Sequence, residues 1–391
     1  MRNLDPELQA VIRDLEAALG EETLEKARYQ LRMKITQFLV GLLTSLVLAL
    51  LWLPTGWAVA LRDALHANTV WWRTWGFILL VTLINAILQF PLDWFFGFRL
   101  ENRLGTNRQS FGGWLWDRVK QAALGIPVQS LPFLGLYLIF RRWPDRWFLG
   151  LVGIVVVFLG VFYLLQPVFL RMQYKAERLD DPELTERLRW LFAKAGVPFA
   201  GLSVIKASEK TSRGNAALVP RGAGTEVVIF DTLIEEVGPE GVEGTIAHEL
   251  GHKVHRDMLR LMSLMGALLI AAFGVGYFVL QSLGTWDGLQ GPIDVATLPL
   301  LELTVAWLGA ALQVLINAYS RRREIAADRF ALEMTQQPDV FERVMVALLR
   351  QNKHLPQPPA WIEALLYNHP SPARRVLMAR QFGKALSARP A

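Results

Sequence analysis

Six long apolar runs constrain this chain more than any other feature. They cover residues 36–53, 75–96, 121–140, 148–170, 259–283 and 298–318. Each is near the roughly 20 residues that a helix needs to cross a bilayer. A segment in lipid must satisfy its own backbone hydrogen bonds, so spanning runs are expected to be helical. The third run is the weakest, because Pro127 and Pro132 interrupt it. Composition agrees: 52% of the residues are hydrophobic and the mean hydropathy is +0.28. The expected fold is a mainly α, polytopic membrane protein with about six transmembrane helices and a smaller α+β domain in the polar stretches between them.

Those stretches set the expected boundaries. Residues 1–34 place Leu4, Leu8, Val11, Ile12, Leu15 and Leu19 at helical spacing among charges, which predicts an amphipathic helix with a break at Gly20. Their polarity also argues against a cleavable signal peptide. Residues 35–171 hold four spans joined by a charged loop at 97–120. Residues 172–257 and 319–391 are two soluble segments, separated by a transmembrane hairpin at 258–318. Within the first, Pro182–Ala195 reads as a helix capped by Asp180 or Asp181, and Gly201–Ala207 as a strand. Asn215–Val219 and Glu226–Phe230 flank a turn at Pro220–Gly224, and Gly241–His255 reads as a helix. Within the second, Arg321–Met334 is an expected separate helix after the sixth span. Asn85, Gln89, Gln313 and Asn317 fall in or at the ends of spans, where they either join helices or line a wetted cavity.

The chemistry concentrates in His248-Glu249-Leu250-Gly251-His252. On a helix the two histidines lie one turn apart on one face and can grip one zinc ion, with Glu249 on the flank that a water would use. Histidine is scarce, with 6 in 391 residues, so a chance match of this pattern is improbable. The chain has no cysteine, so any metal must be held by His and carboxylates. Two candidates exist for a third ligand. His255 shares the helical face of His248 and His252, but that face spans about 10 Å, too far for three zinc–nitrogen bonds from a straight helix. Glu324, in Glu324-Ile325-Ala326-Ala327-Asp328, is the better candidate. Asp328 points the same way one turn on and can accept the free ring N–H of a ligand histidine. Ala326 and Ala327 are small enough to let two helices approach.

Topology supports this pairing. The fifth and sixth spans form a hairpin, so the segments before and after it return to one membrane face. Loops on that face carry Arg99, Arg103, Arg108, Arg118, Lys120, Arg171, Lys175, Arg321, Arg322 and Arg323. The other face has mainly Arg62, Arg73, Arg141, Arg142 and Arg146. The excess places the metal motif on the cytoplasmic side. The net charge of +6 is small for this length and belongs with membrane-face Lys and Arg, not with a nucleic-acid partner. Zinc lowers the pKa of a bound water to about 7 and polarises a carbonyl, and Glu249 would then serve as general base. His369 and Arg375 are the remaining donors for oxyanion charge, although His369 before Pro370 also fits a plain turn.

These residues together resemble the membrane zinc metalloproteases of the CAAX prenyl protease 1 and HtpX group. The resemblance lies in His248–His252, in Arg323–Ala331, in Phe230–Leu233, in Asn215-Ala216, and in His369-Pro370 with Arg375. Leu100–Ser110 resembles a segment of the CAAX prenyl protease 1 branch that HtpX-type proteins are not expected to carry. The resemblance implies one zinc per chain on His248, His252 and Glu324, with Glu249 as catalytic base. It implies Asp328 supporting a ligand, and His369 and Arg375 stabilising the transition state. Asn215 and Ala216, on an edge strand, would hold the substrate backbone. It also implies a chamber walled by transmembrane helices. Eukaryotic members of the group have seven spans, one more than the count here. The sequence after His252 is closer to the wider family than to that branch. The implied substrate is therefore a peptide or membrane-associated protein, prenylated or not, with cleavage of misfolded membrane proteins as the alternative. A non-catalytic metal-binding scaffold or chaperone would have no use for Glu249. The expected location is a bacterial cytoplasmic membrane.

Overall fold

The computed structural model describes residues 5–388, and the side chains of 166–173 lie outside that description, as do Leu4 and the side chain of Arg171. Helix α1 (Pro6–Leu19) starts on Asp5, whose carboxylate accepts from the Glu7 N–H at 2.9 Å. It ends at Gly20, whose φ of 74° disfavours any residue with a Cβ. Its apolar face buries Leu8, Val11, Ile12, Leu15 and Leu19. α2 (Glu21–Trp52) then runs without interruption from polar to apolar sequence. The residue 34 boundary is thus a change of solvent, not of structure, because nothing between Glu21 and Trp52 breaks a helix once it has been nucleated.

α3 (Trp57–Leu65) is short and α4 (Trp71–Trp94) continues through a π turn at Phe95–Arg99 into α5 (Leu100–Leu104). α6 (Phe111–Arg142) passes through Pro127 and Pro132 as one helix. Inside a bundle an unwound turn would leave several backbone groups without water, so the chain keeps the helix and packs it, with Trp75 Nε1 donating to Ser130 Oγ at 2.8 Å. α7 is Trp147–Gln173. α10 (Asp257–Leu283) and α11 (Leu298–Thr335) complete, among the described residues, six helices long and apolar enough to cross a membrane. The structure departs from the sequence reading at α11. Arg321–Met334 is not a separate helix but the end of a single 38-residue one. No Pro or Gly interrupts residues 310–335, so the sixth span carries Glu324 and Asp328 rigidly out of the apolar layer.

Between α7 and α10 lie β1 (Ala176–Arg178), α8 (Pro182–Lys194), β2 (Phe199–Ile205), β3 (Ala216–Arg221), β4 (Gly224–Phe230) and α9 (Asp231–Val254). Asp181, not Asp180, caps α8, accepting from the Leu184 N–H. The sheet order is β1-β2-β4-β3, with β2 and β4 parallel and β3 antiparallel to β4 at the edge. The β3–β4 turn is tighter than the sequence suggests: Pro220 pairs with Thr225 and Arg221 with Gly224, leaving only Gly222 and Ala223 in the loop. α9 breaks at Gly238 (φ 66°) before Pro239, and its second half carries the histidine motif. Leu184, Leu188, Phe192, Val227, Ile229, Val242 and Ile246 form the core between sheet and helices. α12 (Pro338–Asn352), α13 (Ala360–Leu366) and α14 (Pro372–Ser387) follow, and α1 docks on α12 and α14.

At the far end of the bundle a fully buried carboxylate ties loops together. Asp294 accepts from Arg62 at 2.5 Å, from Asn68 at 2.9 Å, and from the backbone N–H groups of Gln290 and Ala296 at 3.0 Å. Arg141 reaches the same knot, donating to Ile293 O, Thr74 and Asn68. Asp294→Ala leaves buried Arg62 with only the exposed carboxylate of Asp63 and strips Asn68 and two backbone N–H groups of their acceptor, so it is expected to cost about 3–5 kcal/mol. The check is thermal unfolding in detergent, where the variant should melt well below the wild type with its metal content unchanged.

Candidate metal centre

The site forms where α9 crosses α11. A Cβ on Gly251 would lie 3.0 Å from the Ala327 Cα, so glycine in the middle of the histidine motif is what lets the two backbones meet. It is Ala327, fully buried, that faces Gly251.

This contact brings three side chains to one point. His248 Nε2 and His252 Nε2 are 3.1 Å apart. Glu324 Oε2 lies 3.3 Å from His248 Nε2, and Oε1 3.3 Å from His252 Nε2. Ligand atoms about 2.1 Å from a tetrahedral metal sit roughly 3.4 Å from one another, so these separations fit a shared cation. Two further features agree. Glu324 Oε2 is buried with no hydrogen-bond partner among the described residues. Two imidazole nitrogens facing each other at 3.1 Å share at most one proton between them, whereas a cation satisfies both. His255 lies outside this group. Its ring sits against Phe330, 5.8 Å between centroids.

Carboxylates hold both imidazoles from behind. His248 Nδ1 is 2.8 Å from Asp328 Oδ1, although off the line of a well-formed hydrogen bond. Asp328 is completely buried and is gripped by Arg375, whose Nε and Nη2 donate at 2.7 and 2.5 Å. His252 Nδ1 is 3.0 Å from Asp257 Oδ2, and Arg323 Nε donates to Asp257 Oδ1 at 2.5 Å. Asp257 and Arg323 escaped the sequence reading. Their signal was available as a carboxylate directly after the motif helix and an arginine directly before Glu324.

Four of the remaining candidates, Asn215, Glu249, His369 and Arg375, line one cavity of about 240 Å³, and Ala216 lies outside its lining. Asn215, His248, Glu249, His369 and Arg375 share it with an apolar wall that includes Val340, Phe341 and Val344. Burial pushes the Glu249 carboxyl above its ordinary range, against the pull of His248 and His252. His369 Nε2 is 3.3 Å from Glu324 Oε1, so this histidine belongs to the site and is more than a turn residue. Burial pushes its pKa down, which favours the neutral ring. Asn215 Oδ1 accepts from the Ala216 N–H at 2.9 Å, and Ala216 pairs with Ile229 at the start of the edge strand.

Residues 178–382 match the sequence model of peptidase family M48. The chain belongs to that family. Residues 2–171 match a second model, described as the CAAX prenyl protease N-terminal region with five membrane helices. Among the described residues, four helices in that range are long and apolar enough to cross a membrane. Relatives include an uncharacterized metalloprotease, YhfN, of Bacillus subtilis, 26% identical over 79% of this chain and 74% of its own length. CAAX prenyl protease 1 of Saccharomyces cerevisiae is 25% identical over 93% of this chain and 86% of its own length. The crystal structure of S. mikatae Ste24p superposes with a TM-score of 0.78, covering 95% of this chain and 94% of that one at 21% identity, and so shares the fold. This M48 protein is a multi-pass membrane metalloprotease of the CAAX prenyl protease 1 type.

Proposed function

We propose that this M48 protein is a zinc endopeptidase of a bacterial cytoplasmic membrane, with its metal site on the cytoplasmic side. The observation that carries this is the convergence of two imidazoles and one carboxylate, with His248 and the half-buried Glu249 opening on a cavity that reaches Asn215 at the start of an edge strand. His248, His252 and Glu324 supply a nitrogen and oxygen donor set suited to zinc, which is a Lewis acid and acidifies water when bound. Glu249 takes the proton of the attacking water and passes it to the leaving amine. Asp328 and Asp257 fix the tautomers of His248 and His252, so that each presents Nε2. His369 and Arg375 offer donors to the oxyanion, and Arg375 is held in place by Asp328. Asn215 and the free edge of β3 take the substrate backbone by strand addition, which needs no particular sequence.

The charge pattern supports the membrane orientation. Arg62 and Arg141, which weaken the bias by lying on the far face, are consumed by the Asp294 knot. The remaining bias favours a cytoplasmic site. The substrate we favour is a membrane-associated protein carrying a prenyl group near its C-terminus, on the strength of the match to the CAAX prenyl protease N-terminal region. Purified protein is expected to hold one zinc per chain by mass spectrometry, to lose cleavage on chelation and to regain it with added zinc. It should cut a farnesylated peptide faster than the unmodified one. Equal rates on both peptides and on an unfolded protein would shift the reading to membrane quality control.

A further inference from the structure

One face of α11 does more than hold the metal. Gln313, Asn317, Arg321, Glu324 and Asp328 follow one another at helical spacing, so they form one polar stripe along the helix. Glu324 and Asp328 belong to the metal centre, and the residues before them grip α13. Gln313 Nε2 donates to Asn317 Oδ1 at 2.8 Å, which turns the Asn317 amide nitrogen toward α13, where it donates to Leu365 O at 2.8 Å. Arg321 Nη1 donates to Tyr367 O at 2.7 Å, to Glu363 O at 3.0 Å and to Ala364 O at 3.4 Å. The last carbonyls of a helix have no partner within it, and for α13 these side chains supply one from α11. Arg321 pairs with no carboxylate among the described residues, so its charge faces a helix end where the carbonyl dipoles are negative.

What these bonds hold is the segment that delivers His369. Tyr367 lies two residues before it and Ser371 two residues after it. The Ser371 N–H donates to Glu363 Oε1 at 3.2 Å, and Ser371 Oγ donates to Gln357 Oε1 at 2.7 Å. Glu363 is buried, and its own carbonyl is one of those that Arg321 takes. Both ends of the loop therefore trace back to Arg321. The His369 side chain between them is 48% exposed, so the anchors of the loop fix it more than packing does. Its Nε2 nevertheless sits 3.3 Å from Glu324 Oε1, and Glu324 is three residues beyond Arg321 on the same helix. One rigid rod thus sets both a metal ligand and the donor beside it. Misplacing a reacting group by about 1 Å can cost about 10²-fold in rate. We propose that Arg321 is a positioning residue for the reaction: it fixes His369 beside the metal centre without touching substrate, with Asn317 as a weaker second anchor. This rests on the reading of His369 as a donor to the oxyanion.

The test is a double-mutant cycle on the full chain in detergent, with a farnesylated peptide as substrate and zinc measured on each preparation. His369→Ala alone is expected to lower kcat by about 10²-fold, as loss of one oxyanion donor should. Arg321→Met is expected to lower kcat by about tenfold, with KM within about twofold of the wild type and one zinc per chain. In the His369→Ala background the same change should cost less than about twofold, because the group it positions is gone. Arg322→Met, which removes an exposed charge one residue along, should leave kcat unchanged. If Arg321→Met does not fold, Asn317→Ala reads the same coupling through a smaller loss of about threefold. Equal losses in both backgrounds, a rise in KM in place of a fall in kcat, or loss of zinc would overturn the positioning role while leaving His369 as the donor. A His369→Ala protein that cuts at the wild-type rate would remove His369 from the mechanism, and this role of Arg321 with it. No cleavage by the wild type would bring down the protease reading and both roles together.

Discussion

Replacing Glu249 by Gln is expected to lower peptide-bond cleavage by about 10³-fold while leaving one zinc per chain. Holding a metal and using it are separate tasks in this cavity. Glu249 is absent from the cluster of His248, His252 and Glu324, yet it opens on the same cavity as His248, His369 and Arg375. Glutamine keeps the shape and loses only the capacity to take a proton. Single-turnover cleavage of a farnesylated peptide, measured beside zinc content on the same preparations, reads both halves. Activity near the wild-type rate in the variant would remove Glu249 from the mechanism.

Replacing Glu324 by Ala is expected to cost both zinc and activity, whereas His255→Ala should keep both. Glu324 supplies one oxygen to each histidine nitrogen at 3.3 Å, and its removal leaves two imidazoles with no negative charge between them. A metal held by three protein ligands loses far more than a third of its binding when one goes, because the remaining pair must be completed by water. His255 sits against Phe330, away from that point. Its loss should register as a small change in stability alone. Zinc retained by Glu324→Ala, or lost by His255→Ala, would reassign the third donor.

Glu324 could be found from sequence because topology is a counting argument. Two spans make a hairpin, so what precedes and follows it must share a face. That α11 is a single rigid rod was less legible, since the apolar run stops near Ala318 while the helix continues to Thr335. The pairing of Asp328 with Arg375 links residues 47 apart along the chain, and no local pattern reveals it. Asp257 was missed for a different reason. Its role depends on the αL residue Arg256 (φ 55°), which turns the chain so that the first residue of α10 faces back onto His252. The tie between the 100–110 loop and the segment before β3 is likewise invisible to periodicity, because it joins loops. Apolar spacing sets where helices run, and the site depends on how their ends meet.

One zinc between His248, His252 and Glu324 underlies every catalytic step proposed for this protein. Crystals of the purified protein, with data recorded on both sides of the zinc absorption edge, test it most directly. One anomalous peak per chain is expected within bonding distance, about 2.0–2.2 Å, of both Nε2 atoms and of a Glu324 oxygen. A peak on His255 or His354 instead, or a peak between the two histidines that Glu324 does not touch, would contradict it.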